Sequence, residues 1–183
     1  MDPIIQADLF RYGGLRGRKG FFKGMTFPGF RYTYFLRKAA KSKRRSIPWM
    51  FYSFMVKRYK YKFGFQIPTS TRIGEGLYIG HFGTLVVNAK AVIGKNCNLA
   101  HGVTIGQANR GKNKGVPVIG DNVWIGTGAV IVGNITVGNN VLVAPNAYVN
   151  TDVPDHSIVL GNPSKIISRE NPTEGYINNI LSR

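Results

Sequence analysis

Residues 118–138 read VIGDNVWIGTGAVIVGNITVG, and an aliphatic residue returns at nearly every sixth position of this stretch. The same spacing holds, with two breaks, from residue 67 to residue 149. Its aliphatic residues are Ile67, Ile73, Ile79, Val87, Ile93, Leu99, Ile105, Ile119, Ile125, Ile131, Val137, Val143 and Val149. A helix would need apolar residues three, four and seven positions apart, and this segment lacks that pattern. A short fixed period is typical of a solenoid.

A second set of small or apolar residues lies four places after most of these aliphatic residues. Its members are Ala91, Cys97, Val103, Val123, Ala129, Ile135, Val141, Ala147 and Val153. Because side chains alternate along a strand, we expect both sets to point inward and Cys97 to fill space. Three units closing one triangular coil predict a mainly β protein, a parallel β-helix of about four coils over residues 66–154. Residues 155–183 would form a C-terminal cap.

The repeat is broken in two places, and both breaks are candidate sites of function. Ile79 and Val87 lie eight positions apart, so two extra residues follow closely after His81. The second break, residues 107–117, is rich in Gly, Asn and Lys, so we expect it to project as a loop. His101 lies two places after Leu99, just as His81 lies two places after Ile79, and the two positions are one coil apart. The two histidines should therefore share one corner of neighbouring coils.

The residues at the fifth place of the repeat point outward and are often large and apolar. They are Thr104, Trp124, Val130, Thr136, Leu142 and Tyr148. Large exposed apolar patches usually mark contact surfaces. We therefore expect this side of the coil to be buried against other subunits.

The chain carries a formal net charge of +17, and the positive charge is concentrated before the repeat. Residues 1–66 contain sixteen Lys and Arg against two acidic residues, Asp2 and Asp8. This shift predicts a separate basic lobe over residues 1–65, with two helices in residues 28–62 that divide near Ser46–Pro48. The lobe either contacts an anionic membrane surface or only caps the β-helix. Nucleic-acid binding is the less favoured alternative, because no known nucleic-acid module is present.

The composition favours a cytoplasmic protein, which the basic lobe could bring to the inner face of the membrane. The single cysteine excludes an intrachain disulfide and fits a reducing compartment. No run of about 18 apolar residues predicts a spanning helix, and residues 1–10 do not resemble a secretory signal.

Three further stretches strengthen the pattern: IGHFGTLVVN (79–88), HGVTIG (101–106) and DVPDHSIVLGNPSKII (152–167). Together with residues 118–138 they resemble the hexapeptide-repeat acyltransferases, most closely the serine acetyltransferase branch. The resemblance implies a left-handed β-helix and a homotrimer with active sites between subunits. It also implies acetyl-CoA as co-substrate, with no metal and no permanently bound cofactor. His81 would be the general base, and His101 a less favoured candidate.

The same resemblance assigns residues to the acetyl-CoA site. The pantetheine arm would lie near Gly106, Ala108, Thr127, Gly128 and Pro145. Lys165, Arg110, Lys112 and Lys114 would meet the phosphates, although simple solvated charge is the alternative for the loop residues. The turns of the repeat would offer backbone N–H groups to the oxyanion.

Three positions depart from the serine acetyltransferase pattern. Gln66 stands where those enzymes have an Asp that orients the base, and it would have to orient His81 through its amide oxygen. Gly80 replaces another Asp, and Val116 replaces a second active-site His. These losses favour a different acceptor, a sugar hydroxyl in surface-polysaccharide biosynthesis, with serine O-acetylation as the alternative.

Two other classes of function remain as alternatives. A carbonic anhydrase on the same fold would need zinc held by His81, His101 and His156 together. A β-helix that only binds other proteins would need neither the histidines nor the basic loop.

Overall fold

The computed structural model describes residues 1–181. Its first part is a lobe of four helices: α1 (Pro3–Phe10), α2 (Gly17–Gly24), α3 (Pro28–Lys41) and α4 (Ile47–Phe63). Helices α3 and α4 divide where the sequence predicts, and the Ser46 hydroxyl caps α4 by accepting the Trp49 N–H at 3.3 Å. Helices α1 and α2 precede the two helices predicted from the sequence. No helix among the described residues is long and apolar enough to cross a membrane.

The remaining chain winds through three sheets, and each of the first four coils contributes one strand to each sheet. Sheet A contains β1 (Phe65–Gln66), β4 (Leu85–Val87), β7 (Thr104–Gly106), β10 (Val130–Val132) and β13 (Tyr148–Val149). Sheet B contains β2 (Arg72–Ile73), β5 (Val92–Ile93), β8 (Val118–Ile119) and β11 (Thr136–Val137). Sheet C contains β3 (Tyr78–Ile79), β6 (Asn98–Leu99), β9 (Trp124–Ile125), β12 (Val141–Val143), β14 (Ser157–Leu160) and β15 (Lys165–Ser168).

Neighbouring coils pair in parallel, which confirms the predicted mainly β fold. Sheet A has five strands, so the β-helix has about five turns, one more than the repeat count suggested. The count fell short because the ladder continues where the six-residue pattern fades. In particular, β14 pairs in parallel with β12, beyond the boundary at residue 154, and β15 then turns back antiparallel.

The inward positions form one continuous core. Every aliphatic residue of the repeat is buried except Ile73, which is half-buried, and every member of the second inward set is buried. Cys97 has no exposed surface, so its predicted space-filling position is confirmed. One corner of the coils is a ladder of residues with positive φ: Gly76, Asn96, Asn122, Asn140 and His156.

The large outward apolar residues are divided between two sheets, so the prediction that they form one side is wrong. Trp124 and Leu142 lie on sheet C, whereas Val130 and Tyr148 lie on sheet A. The chain's own C-terminal segment covers part of sheet C. Tyr176 packs on Trp124 with ring centroids 4.8 Å apart, and its carbonyl accepts a hydrogen bond from Asn98 at 3.0 Å. A six-residue period specifies the direction of a side chain but not its sheet.

The lobe is fastened to the first coils by buried polar contacts as well as apolar packing. Arg37 forms an ion pair with Asp8 at 2.9 Å and donates to the carbonyl of Ile73 at 2.6 Å. Arg11 donates to the carbonyl of Gly76 at 2.7 Å and to Asn98 at 2.6 Å. The lobe therefore caps the β-helix.

Candidate active site

His81 and His101 lie together at the corner between sheet C and sheet A. His81 follows β3 and precedes β4, whereas His101 follows β6 and precedes β7. Their ring centroids are 5.7 Å apart with an interplanar angle of 87°, an edge-to-face contact. The shared phase of the repeat produces this pair, because both residues stand two places after an inward aliphatic residue.

The two extra residues after Ile79 lie in an exposed turn beside His81. Both imidazole rings are exposed, and within residues 1–181 neither ring nitrogen forms a hydrogen bond. Phe82, beside His81, has 69% of its surface exposed. Phe82 is absent from the predicted site residues, although an aromatic residue inside an insertion is a recognisable signal in the sequence.

Gln66 lies on β1, one coil above Val86 of β4. Its side chain is exposed and faces outward from sheet A. Among the described residues, Gln66 and His81 are not joined by a hydrogen bond. The role of Gln66 in orienting the imidazole therefore stays a prediction.

Several predicted acetyl-CoA residues lie in one column along the His81 corner. Gly128 donates its N–H to the carbonyl of His101 at 3.1 Å, and Asn146, next to Pro145, donates to that of Thr127 at 2.9 Å. The last coil continues the column, where Lys165 pairs with Leu160. The column thus contains His81, His101, Thr127, Gly128 and Pro145, with Lys165 at its end. Since strands are about 4.8 Å apart, its four steps span roughly 19 Å.

The basic loop leaves the opposite end of sheet A. It forms a short hairpin in which Ala108 and Gly115 exchange backbone hydrogen bonds at 2.9 and 3.0 Å. Asn113 ties the loop down by donating to the carbonyl of Asn150 at 2.6 Å. Gly106 and Ala108 therefore lie away from the histidine corner, as do three exposed cations, Arg110, Lys112 and Lys114.

The corner N–H groups are less available than the sequence suggested. Gly102 and Gly128 both adopt positive φ and donate their N–H groups to carbonyls of the preceding coil. The expectation that the turns leave free N–H groups for an oxyanion is therefore wrong at these two positions. The parallel stacking of coils consumes the donors.

His156 lies at a different corner, so the three histidines do not converge. It occupies the asparagine ladder at φ 54°, with Nδ1 2.9 Å from Asn140 Nδ2 and 3.0 Å from the carbonyl of Glu170. Within residues 1–181, no three His, Cys, Asp or Glu side chains form a group that could hold a metal ion. The zinc alternative is therefore not supported by this arrangement.

Comparison with known proteins gives one family. Residues 117–151 match the family model described as bacterial transferase hexapeptide (six repeats). Serine acetyltransferase 2 of Arabidopsis thaliana is 40% identical over 105 residues, which are 57% of this chain and 32% of that protein. The chain spans between about a third and a half of the length of the curated relatives it matches.

Solved structures agree over most of the chain. Neisseria gonorrhoeae serine acetyltransferase in complex with serine matches with a TM-score of 0.72 and 32% identity, covering 90% of this chain and 68% of that one. The Brucella abortus enzyme in complex with coenzyme A matches with a TM-score of 0.74 and 29% identity, covering 91% and 67%. The coil is left-handed, as in these neighbours.

The expected sugar acceptor of a polysaccharide pathway is contradicted by these comparisons, since the relatives and structures named above are serine acetyltransferases. That expectation rested on acidic or His side chains absent at Gln66, Gly80 and Val116. A missing contact weakens the binding of one ligand but does not create a binding site for another, so these three positions do not indicate a sugar acceptor. By its coils, its kink and its similarity over 90% of its length to a serine acetyltransferase, the chain belongs to the hexapeptide-repeat transferases.

Proposed function

We propose that this protein transfers the acetyl group of acetyl-CoA to the side-chain hydroxyl of L-serine. One observation carries the proposal: His81 contacts His101 at the kinked corner of a chain 32% identical to an enzyme solved with serine. The relative solved with coenzyme A supports acetyl-CoA as the donor. A β-helix that only binds other proteins would not require the histidine pair.

The reaction needs one base and no covalent enzyme intermediate. Neutral His81 accepts the proton of the serine hydroxyl while the serine oxygen attacks the thioester carbonyl. The carbon–sulfur bond then breaks, and the CoA thiolate takes the proton back from the imidazolium. A positioned base of this kind contributes about 10²–10⁴-fold to the rate. His101 limits the orientations of the His81 ring through their edge-to-face contact and so acts as a positioning residue.

Acetyl-CoA would lie along the column that begins at His81. The thioester is placed beside the histidines, and the pantetheine arm passes Thr127, Gly128 and Pro145. Lys165 stands at the far end, where a cation suits the CoA phosphates. The length of roughly 19 Å estimated above from the strand spacing gives an extended arm room to lie flat.

The loop cations would act on a neighbouring copy. In one chain, Arg110, Lys112 and Lys114 lie at the opposite end of sheet A from His81, so they do not line the same column. In a homotrimer, the loop of one subunit can reach the histidine corner of the next. Each active site would then lie between two subunits.

The acceptor side is expected to bind serine weakly. Gln66, Gly80 and Val116 provide no negative charge for the serine ammonium group. The missing charge affects the binding of serine more than the proton transfer. Compared with a serine acetyltransferase that carries acidic residues there, we expect a higher KM for serine and a smaller change in kcat.

The test follows CoA thiol release with acetyl-CoA and increasing L-serine, and identifies O-acetylserine by mass spectrometry. His81→Ala should lower kcat by about 10²–10⁴-fold, while acetyl-CoA binding survives. His156→Asn is the matched control and should keep full activity, because Asn occupies the same ladder position at residues 122 and 140. Bound acetyl-CoA without O-acetylserine at any serine concentration would refute the proposal, and so would full turnover by His81→Ala.

A further inference from the structure

Helix α4 carries two apolar faces, and only one of them is covered. Val56 and Phe63 are buried, and Tyr52, Met55 and Tyr59 pack against the core on the side that faces α3. A second apolar row lies away from that side and is named here the α4 stripe: Ile47, Met50, Phe51, Phe54 and Tyr61. Phe51 stands at its edge, where its ring also contacts Phe35 of α3 with centroids 6.4 Å apart. Spacings of three, four and seven place these residues on one face of the helix.

The α4 stripe is strongly exposed. Ile47 has 83% of its surface exposed and Phe54 63%, and the other three residues are each more than half exposed. A row of this kind on a single helix is a contact surface and not a scatter of stray hydrophobic residues.

Basic side chains surround the stripe. Exposed Lys and Arg residues precede the helix and accompany its second half: Lys43, Arg44, Arg45, Lys57, Arg58 and Lys62. No Asp or Glu occurs between Leu9 and Gly74. The surface therefore combines apolar side chains with uncompensated positive charge.

We propose that the α4 stripe inserts into the interfacial region of an anionic lipid membrane. An in-plane helix buries its apolar face about 5–10 Å into the headgroup boundary and is helped by basic residues. Here Ile47, Met50, Phe51 and Phe54 supply the inserting face, and the six basic residues contact the lipid headgroups. This inference does not depend on the proposed acetyl transfer.

Charge decides against the other occupants of this surface. A second copy of the stripe would bring like charges together, because the lobe offers almost no acidic partner. A nucleic acid would match the charge, and Phe51, Phe54 and Tyr61 could stack on bases, but the aliphatic side chains of Ile47 and Met50 would gain no partner there. Anionic lipid satisfies both the charge and the aliphatic side chains.

The full-length protein would be mixed with vesicles of phosphatidylcholine containing 30 mol% phosphatidylglycerol, or of phosphatidylcholine alone, and sedimented. We expect binding only to the anionic vesicles, and weaker binding at high salt, since a Debye length falls to about 3 Å at 1 M. Replacing Lys57, Arg58 and Lys62 by Gln should weaken binding about 100-fold, since each basic residue contributes about 1 kcal/mol. Ile47→Ser with Phe54→Ser should weaken it at least tenfold.

The matched charge control replaces Arg72, Lys90 and Arg169 by Gln, three exposed cations outside the lobe. Ile167→Ser, an exposed apolar residue of β15, is the apolar control. Both should bind anionic vesicles like the wild type.

Equal binding to both lipids, or none, would overturn the proposal. A changed oligomeric mass of the stripe variant with intact vesicle binding would instead assign the stripe to a second copy. The membrane proposal would also be refuted if the protein bound single-stranded nucleic acid tightly and did not bind vesicles, and if Ile47→Ser with Phe54→Ser left the nucleic-acid binding unchanged.

Discussion

Cys97 is the most enclosed titratable side chain of the β-helix. Its Sγ lies 3.2 Å from the carbonyl of Gly120, and burial raises the pKa of the thiol to about 12. At pH 8 only about one molecule in ten thousand would therefore carry a thiolate, the reactive form.

We expect the native protein to show no reaction with a thiol reagent at pH 8. Unfolding in denaturant should release one thiol per chain. A chromogenic disulfide reagent measures the reactive thiol of the native and of the unfolded protein. Because Cys97 would not react in the native protein, the same reagent can follow CoA release without background. One equivalent of rapid labelling in the native protein would contradict the buried position of Cys97.

Asp8 and Arg37 form a buried ion pair that couples α1 and α3 to the first coil. Burial raises the pKa of Asp8, and the charge of Arg37 and the N–H of Leu77 act against that rise. Because the folded pKa lies above the unfolded value, this group stabilises the fold most at low pH, and the contribution is lost as pH rises through the folded pKa.

Arg37→Met removes the group that most opposes this rise. We expect a loss of about 3–5 kcal/mol in the free energy of unfolding at pH 7, because an unpaired buried carboxylate remains. The sign of the pH dependence follows from the raised pKa: the variant should regain stability as pH falls toward about 4. Denaturant titrations at several pH values measure this. The double variant with Asp8→Asn is the control and should lose the pH dependence; a flat profile in the single variant would contradict the mechanism.

At the scale of elements, Gly29 sets how closely α3 approaches the β-helix. A Cβ at this position would lie 2.0 Å from the carbonyl oxygen of Ile79 and 2.6 Å from the Tyr12 hydroxyl. In an ordinary helix Ala is favoured over Gly by roughly 0.5–1 kcal/mol. Here the helix backbone packs directly on the end of β3, next to the His81 kink.

Gly29→Ala should therefore destabilise the protein by about 1–3 kcal/mol, the range for overpacking, despite its better helix propensity. Gly111→Ala is the control, because nothing lies within 4 Å of its Cβ position, although its φ of +74° adds some strain. Thermal unfolding compares the two variants. A Gly29→Ala protein as stable as the wild type would mean that α3 does not rest on β3.

At the scale of the whole molecule, the proposed acetyl-CoA site would need the loop of a second copy, because one chain keeps its loop and its histidines apart. We expect a mass near three times 20.2 kDa by light scattering. We also expect complementation between two variants: His81→Ala, and one with Arg110, Lys112 and Lys114 changed to Gln. Each alone should be nearly inactive. Random assortment around a closed ring should restore about a quarter of all interfaces, because each mixed trimer contains one interface that combines an intact His81 with an intact loop.

Co-expression of the two variants and assay of CoA release measures this recovery. A mixture of separately folded proteins that do not exchange subunits is the control and should stay inactive. If the mixed trimers remain as inactive as their parents, each site would lie within one chain.

The sequence predicted more of the structure inside the repeat than around it. The period of six identified the inward residues, including Cys97, and the phase brought His81 beside His101. The same period could not assign Trp124 and Tyr148 to different sheets, nor show that Tyr176 covers Trp124. Those contacts join residues that are distant in the chain, and no local pattern encodes them.

The sequence by itself determined the coil, its core and the histidine corner, because a short repeat makes each contact a nearest-neighbour contact. Only the tertiary structure decided which corner N–H groups are already donated, how α3 rests on β3 and which face of α4 remains open. These features depend on where separate elements meet. Such meetings are set by packing over the whole molecule and not by the period of any one segment.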